Sequence, residues 1–291
     1  MMNTGELIDF HSRQLAVWPM AAANFAALQA IEVKEFEIDG LPWRVQHNPA
    51  RIASTAAKLD KDSLAARPCF LCDANRPDMQ LYLTMEGGGY KVLVNPFPIF
   101  PVHFTIPAVI HIPQLITAGG ARRFADMFRM ARSLPGLALF YNGPACGASA
   151  PDHFHFQAVE RTSLPIFDWV ERNAALPFKV AAADLRDEEG AREWFRGVCD
   201  TLSRLPENIG LEEPRINILC AAVAGGVRAI VIPRRAHRPD FYGTASGQLL
   251  LSPASVDLSG VLIAPSSADF HHKINSSVLR ALLSQTCYTV G

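Results

Sequence analysis

The chain has 291 residues, of which 49% are hydrophobic and 19% are charged, and its formal net charge is -1. That length is enough to bury a substantial core without help from metal or disulfides, and a near-neutral chain with no Lys/Arg run is not expected to bind nucleic acid. The N-terminal residues lack the features of a secretory signal, and no window approaches about 18 uninterrupted apolar residues. The sequence therefore predicts a cytoplasmic protein without a membrane span.

The predicted elements begin with two helical pieces within residues 6–30, separated at Pro19. Residues 33–49 then alternate polar and apolar side chains around Asp39-Gly40, which indicates a β-hairpin. The later segments with strand character are residues 90–94, 103–106, 137–141, 153–159, 216–223, 227–232, 249–251 and 260–263. The later segments with helical periodicity are residues 120–134, 184–205 and 273–284.

Many short strands among a few helices predict an α+β fold with antiparallel sheets rather than a doubly wound parallel sheet. The sequence contains no phosphate-binding glycine loop followed by Lys-Ser/Thr and no GxGxxG after a strand, which excludes P-loop and Rossmann folds. The pattern Ile-Pro-x-x-x-His occurs at residues 106–111 and 232–237, each time after an apolar strand. This echo is compatible with two related halves or with chance.

The strongest functional signal is the segment His153-Phe154-His155-Phe156-Gln157. Because side chains alternate between the two faces of a strand, the histidines and Gln157 are predicted to share one face, while the phenylalanines anchor the other. A single strand histidine is more often structural than catalytic. Two histidines and a glutamine on one face favour a functional site.

The loop before this strand, residues 142–152, is built of small residues, which let backbone N–H groups approach a ligand closely. Gly147 is one of them, and Asn142 and Ser149 add neutral hydrogen-bond donors. Such donors suit a phosphate undergoing displacement, because they stabilise charge on its oxygens. The alternative is an ordinary surface turn.

The pattern N-x10-H-x-H-x-Q, with a serine in the loop, resembles the active-site segment of the galactose-1-phosphate uridylyltransferase branch of the histidine-triad superfamily. SAPDHFHFQAV is most similar to the GDP-hexose (GDP-L-galactose and GDP-D-glucose) phosphorylases, and the diadenosine tetraphosphate phosphorylases are also similar. The resemblance covers about residues 45–275 and includes LLLSPASVDLSGVLIAPSSADF. Phe154 stands where the uridylyltransferases have proline, which favours the phosphorylases.

The resemblance implies a histidine-triad-like fold and a nucleotidyltransferase mechanism. His155 would attack the α-phosphorus and hold the nucleoside monophosphate covalently, with Gln157, Asn142 and Ser149 contacting the phosphate oxygens. A neutral imidazole is a competent nucleophile, and a covalent intermediate divides the transfer into two displacements. The expected partners are a nucleoside-diphosphate sugar, with GDP-hexose favoured, or a dinucleoside polyphosphate, together with inorganic phosphate.

The pair Cys69-x-x-Cys72 allows a redox pair, half of a metal site or coincidence. In the uridylyltransferases a similar pair joins a later histidine and the first histidine of the H-x-H motif, and His111 and His153 match those positions. The resemblance therefore implies a structural zinc with four protein ligands, against the alternative of thiols without metal. The four remaining cysteines stand singly in apolar or small-residue surroundings, as core thiols do: Cys146, Cys199, Cys220 and Cys287.

Nucleotide contacts are predicted from segments that resemble those holding the nucleotide in these relatives, with turn residues or surface charges as the alternative. The predicted residues are Asn48, Arg51, Asn95, Phe97 and Gly147. Arg234, Arg235 and His237 are either a phosphate-binding cluster or a solvated basic turn.

The sequence thus predicts a catalytic histidine-triad-like half over residues 1–175 and a second, degenerate half over residues 176–291. The predicted function is nucleotidyl transfer from a GDP-hexose to phosphate. The alternatives are a dinucleoside polyphosphate phosphorylase, a sugar-1-phosphate uridylyltransferase, and a zinc-stapled nucleotide-binding protein without activity. A simple hydrolase is disfavoured because Gln157 replaces the third alternating histidine of the small hydrolases.

Overall fold

The computed structural model describes residues 2–52 and 67–290. Within these ranges, helices α1 to α8 span Thr4–Val17, Pro19–Ala27, Arg122–Ser133, Ile166–Glu171, Glu188–Leu202, Ser255–Leu258, Ser267–His272 and Ser276–Thr286. Strands β1 to β11 span Glu32–Ile38, Leu41–His47, Leu83–Thr84, Lys91–Val94, His103–Pro107, Leu137–Asn142, His155–Glu160, Ala181–Leu185, Ile216–Val223, Gly226–Pro233 and Val261–Ala264. In this part of the chain, no helix has the length and apolar character needed to cross a membrane.

The strands form an eight-stranded sheet in the order β3-β4-β5-β7-β6-β9-β10-β8 and a three-stranded sheet in the order β1-β2-β11. All neighbouring strands of the large sheet are antiparallel. In the small sheet, β1 and β2 are antiparallel, and β2 and β11 are parallel. The predicted α+β fold with a large antiparallel sheet is confirmed. Strands from both sides of residue 175 share the large sheet, and the division into two related halves stays a prediction.

The predicted N-terminal hairpin is present. Asp39 and Gly40 have φ values of 53° and 78°, as a two-residue turn matching the twist of its strands requires. Ile38 pairs with Leu41 across this turn. The two helical pieces before the hairpin are also confirmed, and Pro19 begins the second helix, where its missing N–H costs no hydrogen bond.

Hydrophobic cores cover both faces of the large sheet. Leu139 on β6 belongs to one core with Phe128 of α3 and Phe156 of β7. The next residue, Phe140, points to the opposite face and belongs to the other core with Trp169 of α4. Strand β6 is buried along its whole length, so it holds one end of the loop before β7 in a fixed position.

Three element predictions require correction. Residues 184–205 are not one helix: strand β8 ends at Leu185, and α5 begins after Asp187, whose carboxylate accepts a 2.8 Å hydrogen bond from the Gly190 N–H. The segment 249–251 makes an isolated bridge at Leu249 instead of a strand. Strand β7 begins at His155, so His153 precedes the strand and is free to face another direction.

Candidate active site

A cavity of about 710 Å³ lies where the loop after β6 meets β5, β7 and the segment before β11. Most of the catalytic and nucleotide-binding residues predicted from the sequence line it: Arg51, Asn95, Phe97, Asn142, Gly147, Ser149, His155 and Gln157. His237, Arg238 and Ser252 contribute to the wall from the C-terminal part of the chain. The sequence motif and the C-terminal segment therefore meet at one site.

His155 is buried, and its ring is held in one orientation. Nδ1 lies 2.8 Å from the carbonyl oxygen of His153, so Nδ1 carries the proton and donates. In a neutral imidazole this leaves the lone pair on Nε2. Burial lowers the pKa of His155 to about 4, so the neutral form predominates near neutral pH.

Gln157 is oriented by a second buried histidine. The Ile99 N–H donates to Nδ1 of His103 over 3.2 Å, so the proton of His103 is on Nε2. That nitrogen lies 3.0 Å from Oε1 of Gln157 and donates to it. The amide NH₂ of Gln157 is consequently the group available to donate to a ligand in the cavity.

Asn142 is fixed in a comparable way. Its Oδ1 accepts hydrogen bonds from the Ser255 N–H at 3.0 Å and from Nδ2 of Asn217 at 2.9 Å. With the oxygen occupied, Nδ2 is the donor that Asn142 can present to the cavity that it lines. Two neutral amide donors thus lie on the wall that also carries His155.

The small-residue loop packs closely against the C-terminal segment. Gly147 has a φ of +98°, and a Cβ added there would come within 2.5 Å of the Ala254 Cβ. Only glycine fits this position without displacing the neighbouring backbone. Ser149, two residues later, lines the cavity.

Gln114 ties β6 to β7 beside the cavity, and the sequence motif gives no signal for it. This fully buried side chain donates from Nε2 to the carbonyl oxygens of Asn142 at 3.1 Å and His155 at 3.0 Å. Its Oε1 accepts from the His155 N–H at 2.7 Å. One side-chain amide therefore fixes the backbone at both Asn142 and His155.

Two other predicted nucleotide contacts have structural partners. Asn48 is buried and donates to the Pro98 carbonyl oxygen over 3.1 Å, and it is not part of the described cavity lining. Asn95 accepts from the Phe97 N–H at 2.9 Å and donates to Oγ1 of Thr105 at 3.0 Å. The prediction that Asn48 and Asn95 contact a nucleotide stays a prediction. Phe97, a third predicted contact, lies at the cavity with 42% of its surface exposed.

The arginines of the cavity are not those of the predicted basic cluster, although His237 of that cluster lines the cavity. Arg51, Arg67 and Arg238 line the cavity. Arg234 is fully buried and donates to Oδ1 of Asn217 at 2.6 Å and to the Pro253 carbonyl oxygen at 3.0 Å. It therefore supports Asn217, the partner of Asn142, and the hypothesis that Arg234 binds phosphate is wrong.

The cysteine pair converges with two histidines next to the loop. Sγ of Cys69 and Sγ of Cys72 lie 3.3 Å and 3.5 Å from Nδ1 of His153, and Sγ of Cys72 lies 3.2 Å from Nδ1 of His111. Nε2 of His153 donates to the Ala108 carbonyl oxygen at 2.8 Å, so the Nδ1 lone pair faces the sulfurs. The four ligand atoms lie within 4.8 Å of one another.

These separations fit a zinc ion. Tetrahedral zinc with Zn–S near 2.3 Å and Zn–N near 2.05 Å places sulfur and nitrogen roughly 3.5 Å apart. The other four cysteines are buried free thiols, as predicted: Cys146, Cys199, Cys220 and Cys287. The sequence prediction that the four ligand candidates come together is confirmed.

Residues 10–160 match a family described as a domain of unknown function, DUF4922. No curated protein matches the sequence. The crystal structure of the yeast Ap4A phosphorylase Apa2 is similar to this chain with a TM-score of 0.63 and 19% identity, covering 93% of this chain and 97% of that chain.

The same yeast enzyme in complex with AMP gives a TM-score of 0.60 at 18% identity, with 94% of this chain and 96% of that chain covered. The structure of its complex with Ap4A has a TM-score of 0.62 at 19% identity, with 93% of this chain and 97% of that chain covered. This likeness shows the fold: the chain shares the α+β architecture of that yeast enzyme, with a large antiparallel sheet and flanking helices.

Proposed function

The chain belongs to the DUF4922 family, and we propose that it is a nucleotidyltransferase of the phosphorylase type with His155 as its nucleophile. The observation that carries this proposal is the orientation of the buried imidazole. Nδ1 of His155 donates to the His153 carbonyl oxygen over 2.8 Å, so Nε2 keeps its lone pair in a side chain that lines the cavity. A fixed tautomer with a free nitrogen is what covalent catalysis by histidine requires.

The reaction consists of two displacements at one phosphorus. In the first, the Nε2 lone pair forms a P–N bond to the α-phosphorus, and the P–O bond to the leaving group breaks. The leaving group is itself a phosphate, which carries the electron pair as an anion and needs no proton from the protein. In the second, an oxygen of inorganic phosphate attacks the same phosphorus, the P–N bond breaks, and the imidazole is restored.

Neutral donors around His155 suit the charge that develops in both steps. Gln157 and Asn142 each have their side-chain oxygen occupied by protein donors, which leaves their amide NH₂ groups for phosphate oxygens. Preoriented donors of this kind stabilise the transition state without reorganisation. Ser149 lines the same cavity and adds a hydroxyl.

The substrate class proposed first is a dinucleoside polyphosphate. The support is the similarity to the yeast Ap4A phosphorylase over 97% of that chain, and a structure of that enzyme contains Ap4A. Three arginines of the cavity wall, Arg51, Arg67 and Arg238, suit a ligand with several phosphate groups. A GDP-hexose is the second candidate, because the segment at residues 149–159 most resembles the GDP-hexose phosphorylases.

Product analysis distinguishes these substrates. With Ap4A and inorganic phosphate we expect ADP and ATP, whereas a GDP-hexose phosphorylase would release GDP and the hexose 1-phosphate. Omission of phosphate should stop turnover, because the acceptor is then missing. Turnover only with UDP-glucose and galactose 1-phosphate would replace the phosphorylase by a uridylyltransferase, and binding without turnover of any of these substrates would contradict the proposed activity.

We also infer that residues 1–175 supply the catalytic groups and that residues 176–291 are a second, degenerate half. Ile106-Pro107 and Ile232-Pro233 lie at the ends of β5 and β10 in the same sheet. His111 and His237, which complete the two sequence echoes, have different surroundings: His111 belongs to the Cys/His cluster, and His237 lines the cavity.

The proposed zinc is structural. Cys69, Cys72, His111 and His153 would hold it, and four protein ligands leave no position for substrate. The ion would fix His153, whose backbone carbonyl accepts the hydrogen bond that orients His155. Its contribution to the reaction is therefore the position of a catalytic side chain.

Purified protein is expected to contain about one zinc at this cluster per chain, and Cys69→Ser should lose that zinc and lower the unfolding temperature, because metal binding contributes to folding. Metal analysis and thermal unfolding measure the two effects. Cys199→Ser is the matched control, since Cys199 is also a buried free thiol but lies outside the cluster. Retention of all bound zinc by Cys69→Ser would contradict the assignment.

A further inference from the structure

We propose that Glu32, His47 and His271 form a second metal site, which binds zinc or a similar divalent transition-metal ion. Oε1 of Glu32 lies 3.7 Å from Nδ1 of His47 and 3.4 Å from Nε2 of His271. The three ligand atoms lie within 4.8 Å of one another. The site shares no residue with the Cys/His cluster or with the cavity lining.

The three side chains are brought together by regular backbone structure. Glu32 of β1 and His47 of β2 are direct partners across an antiparallel pair, so their side chains project from the same face. His271 lies near the end of α7, where Lys34 of β1 donates to its carbonyl oxygen at 3.2 Å and to that of Phe270 at 2.7 Å. The helix end is therefore attached to the strand that carries Glu32.

The ring of His47 is also restrained. It stacks on the Phe270 ring with centroids 5.4 Å apart and an interplanar angle of 23°. Its Nδ1 is the nitrogen that faces Glu32, and its Nε2 is buried without a hydrogen-bond partner within the described residues. Ligands placed on packed, paired elements require little rearrangement to bind an ion.

The donor set indicates the class of ion. Two imidazoles and one carboxylate are ligands that zinc and neighbouring transition metals prefer, whereas calcium and magnesium prefer oxygen ligands. Tetrahedral zinc with bonds of 2.0–2.1 Å separates its nitrogen and oxygen ligands by roughly 3.3–3.4 Å. Three protein ligands leave at least one position for water, unlike the four-ligand cluster.

An ion-pair cluster without metal explains the geometry less well. Each imidazole could donate an N–H to Glu32, but the separations of 3.7 Å and 3.4 Å are longer than normal N–H···O hydrogen bonds. One divalent cation would bind all three side chains at these separations. Binding it would fasten the edge strand β1 and helix α7 to β2.

The test measures metal stoichiometry on the full chain. After equilibration with zinc, we expect two ions per chain in the wild type, and one in each of the variants Glu32→Gln, His47→Ala and His271→Ala. Zinc titration of protein already holding one equivalent should show at least about tenfold weaker binding in these variants, since even loss of an outer partner commonly costs 10–100-fold. The matched control is His272→Ala, a histidine beside His271 with ring centroids 6.1 Å away, which should retain both ions.

Cobalt substitution assigns each ion to its site. The thiolate-to-cobalt charge-transfer absorption reports only the cysteine cluster, so it should persist in His271→Ala and disappear in Cys69→Ser. Unfolding in the absence of metal checks that the variants fold; His271, whose side chain is 36% exposed, can be replaced even if His47→Ala does not fold. A single metal equivalent that Cys69→Ser abolishes, or a second equivalent that survives in His47→Ala and His271→Ala, would overturn the proposal.

Discussion

Replacement of His155 by alanine should abolish phosphate-dependent turnover, with a loss of roughly 10⁶-fold, as found when a covalent nucleophile is removed. The fold should persist, because Gln114 bonds the backbone N–H and carbonyl of residue 155 rather than its ring. Substrate binding should be largely retained, since the cavity wall keeps its arginines and amides. Rate measurements, thermal unfolding and ligand titration test these three expectations.

A matched control and the fate of the nucleotide complete this test. His11→Ala also removes a buried imidazole, which packs on Phe25 and Phe104 at centroid distances of 4.7 Å and 5.9 Å, but it lies outside the described cavity lining and should remain active. The wild type should follow ping-pong kinetics with retention at phosphorus and form an acid-labile nucleotidyl adduct on His155. Residual turnover by His155→Ala near the wild-type rate, or an adduct on another residue, would show that the nucleophile is misidentified.

The part of the site that the sequence predicted depends on local spacing. Alternation along the predicted strand 153–159 placed Phe154 and Phe156 in the core, where both are fully buried, and it placed His155 and Gln157 at the cavity. His153 departs from this face because the strand begins two residues later, at His155. The departure lets His153 join the cysteines while its carbonyl still orients His155.

The supports of the site could not be predicted from spacing, because they come from distant segments. Gln114 reaches β6 and β7 from the loop before α3, and Asn217 reaches Asn142 across the pairing of β6 with β9. The sequence around Arg234 is misleading, because a run of basic residues suggests that their side chains are exposed at the surface. Its guanidinium is surrounded instead by carbonyl oxygens inside the protein.

The same limit explains the misassigned helix. Residues 184–205 contain helical periodicity, but Asp184 pairs with Arg228 on β10 through bonds of 2.7 Å and 2.8 Å. Residues 181–185 pair with β10 at the sheet edge as β8, and α5 begins after the N-cap residue Asp187. A contact between elements over forty residues apart in sequence decides the local structure here.

Gln157→Ala should lower kcat by roughly 10²–10³-fold, which is the usual loss when one donor to a developing negative charge is removed. KM should change little, because the donor acts mainly on charge that appears in the transition state. The structural reason for a large effect is the fixed amide: His103 Nε2 donates to Oε1 of Gln157 over 3.0 Å and keeps the NH₂ group turned to the cavity. Steady-state kinetics in both directions measure the split between kcat and KM.

The control for this variant is Gln46→Ala, which truncates another half-buried strand glutamine on β2, outside the described cavity lining. It should leave kcat unchanged. Gln157→Glu gives a sharper contrast, because its carboxylate has the size of the amide but replaces the NH₂ donor by an acceptor that repels phosphate. If the effect came only from packing, Gln157→Glu would retain most of the activity that Gln157→Ala loses. If the amide is a donor to the transferred phosphate, Gln157→Glu should be at least as impaired as Gln157→Ala.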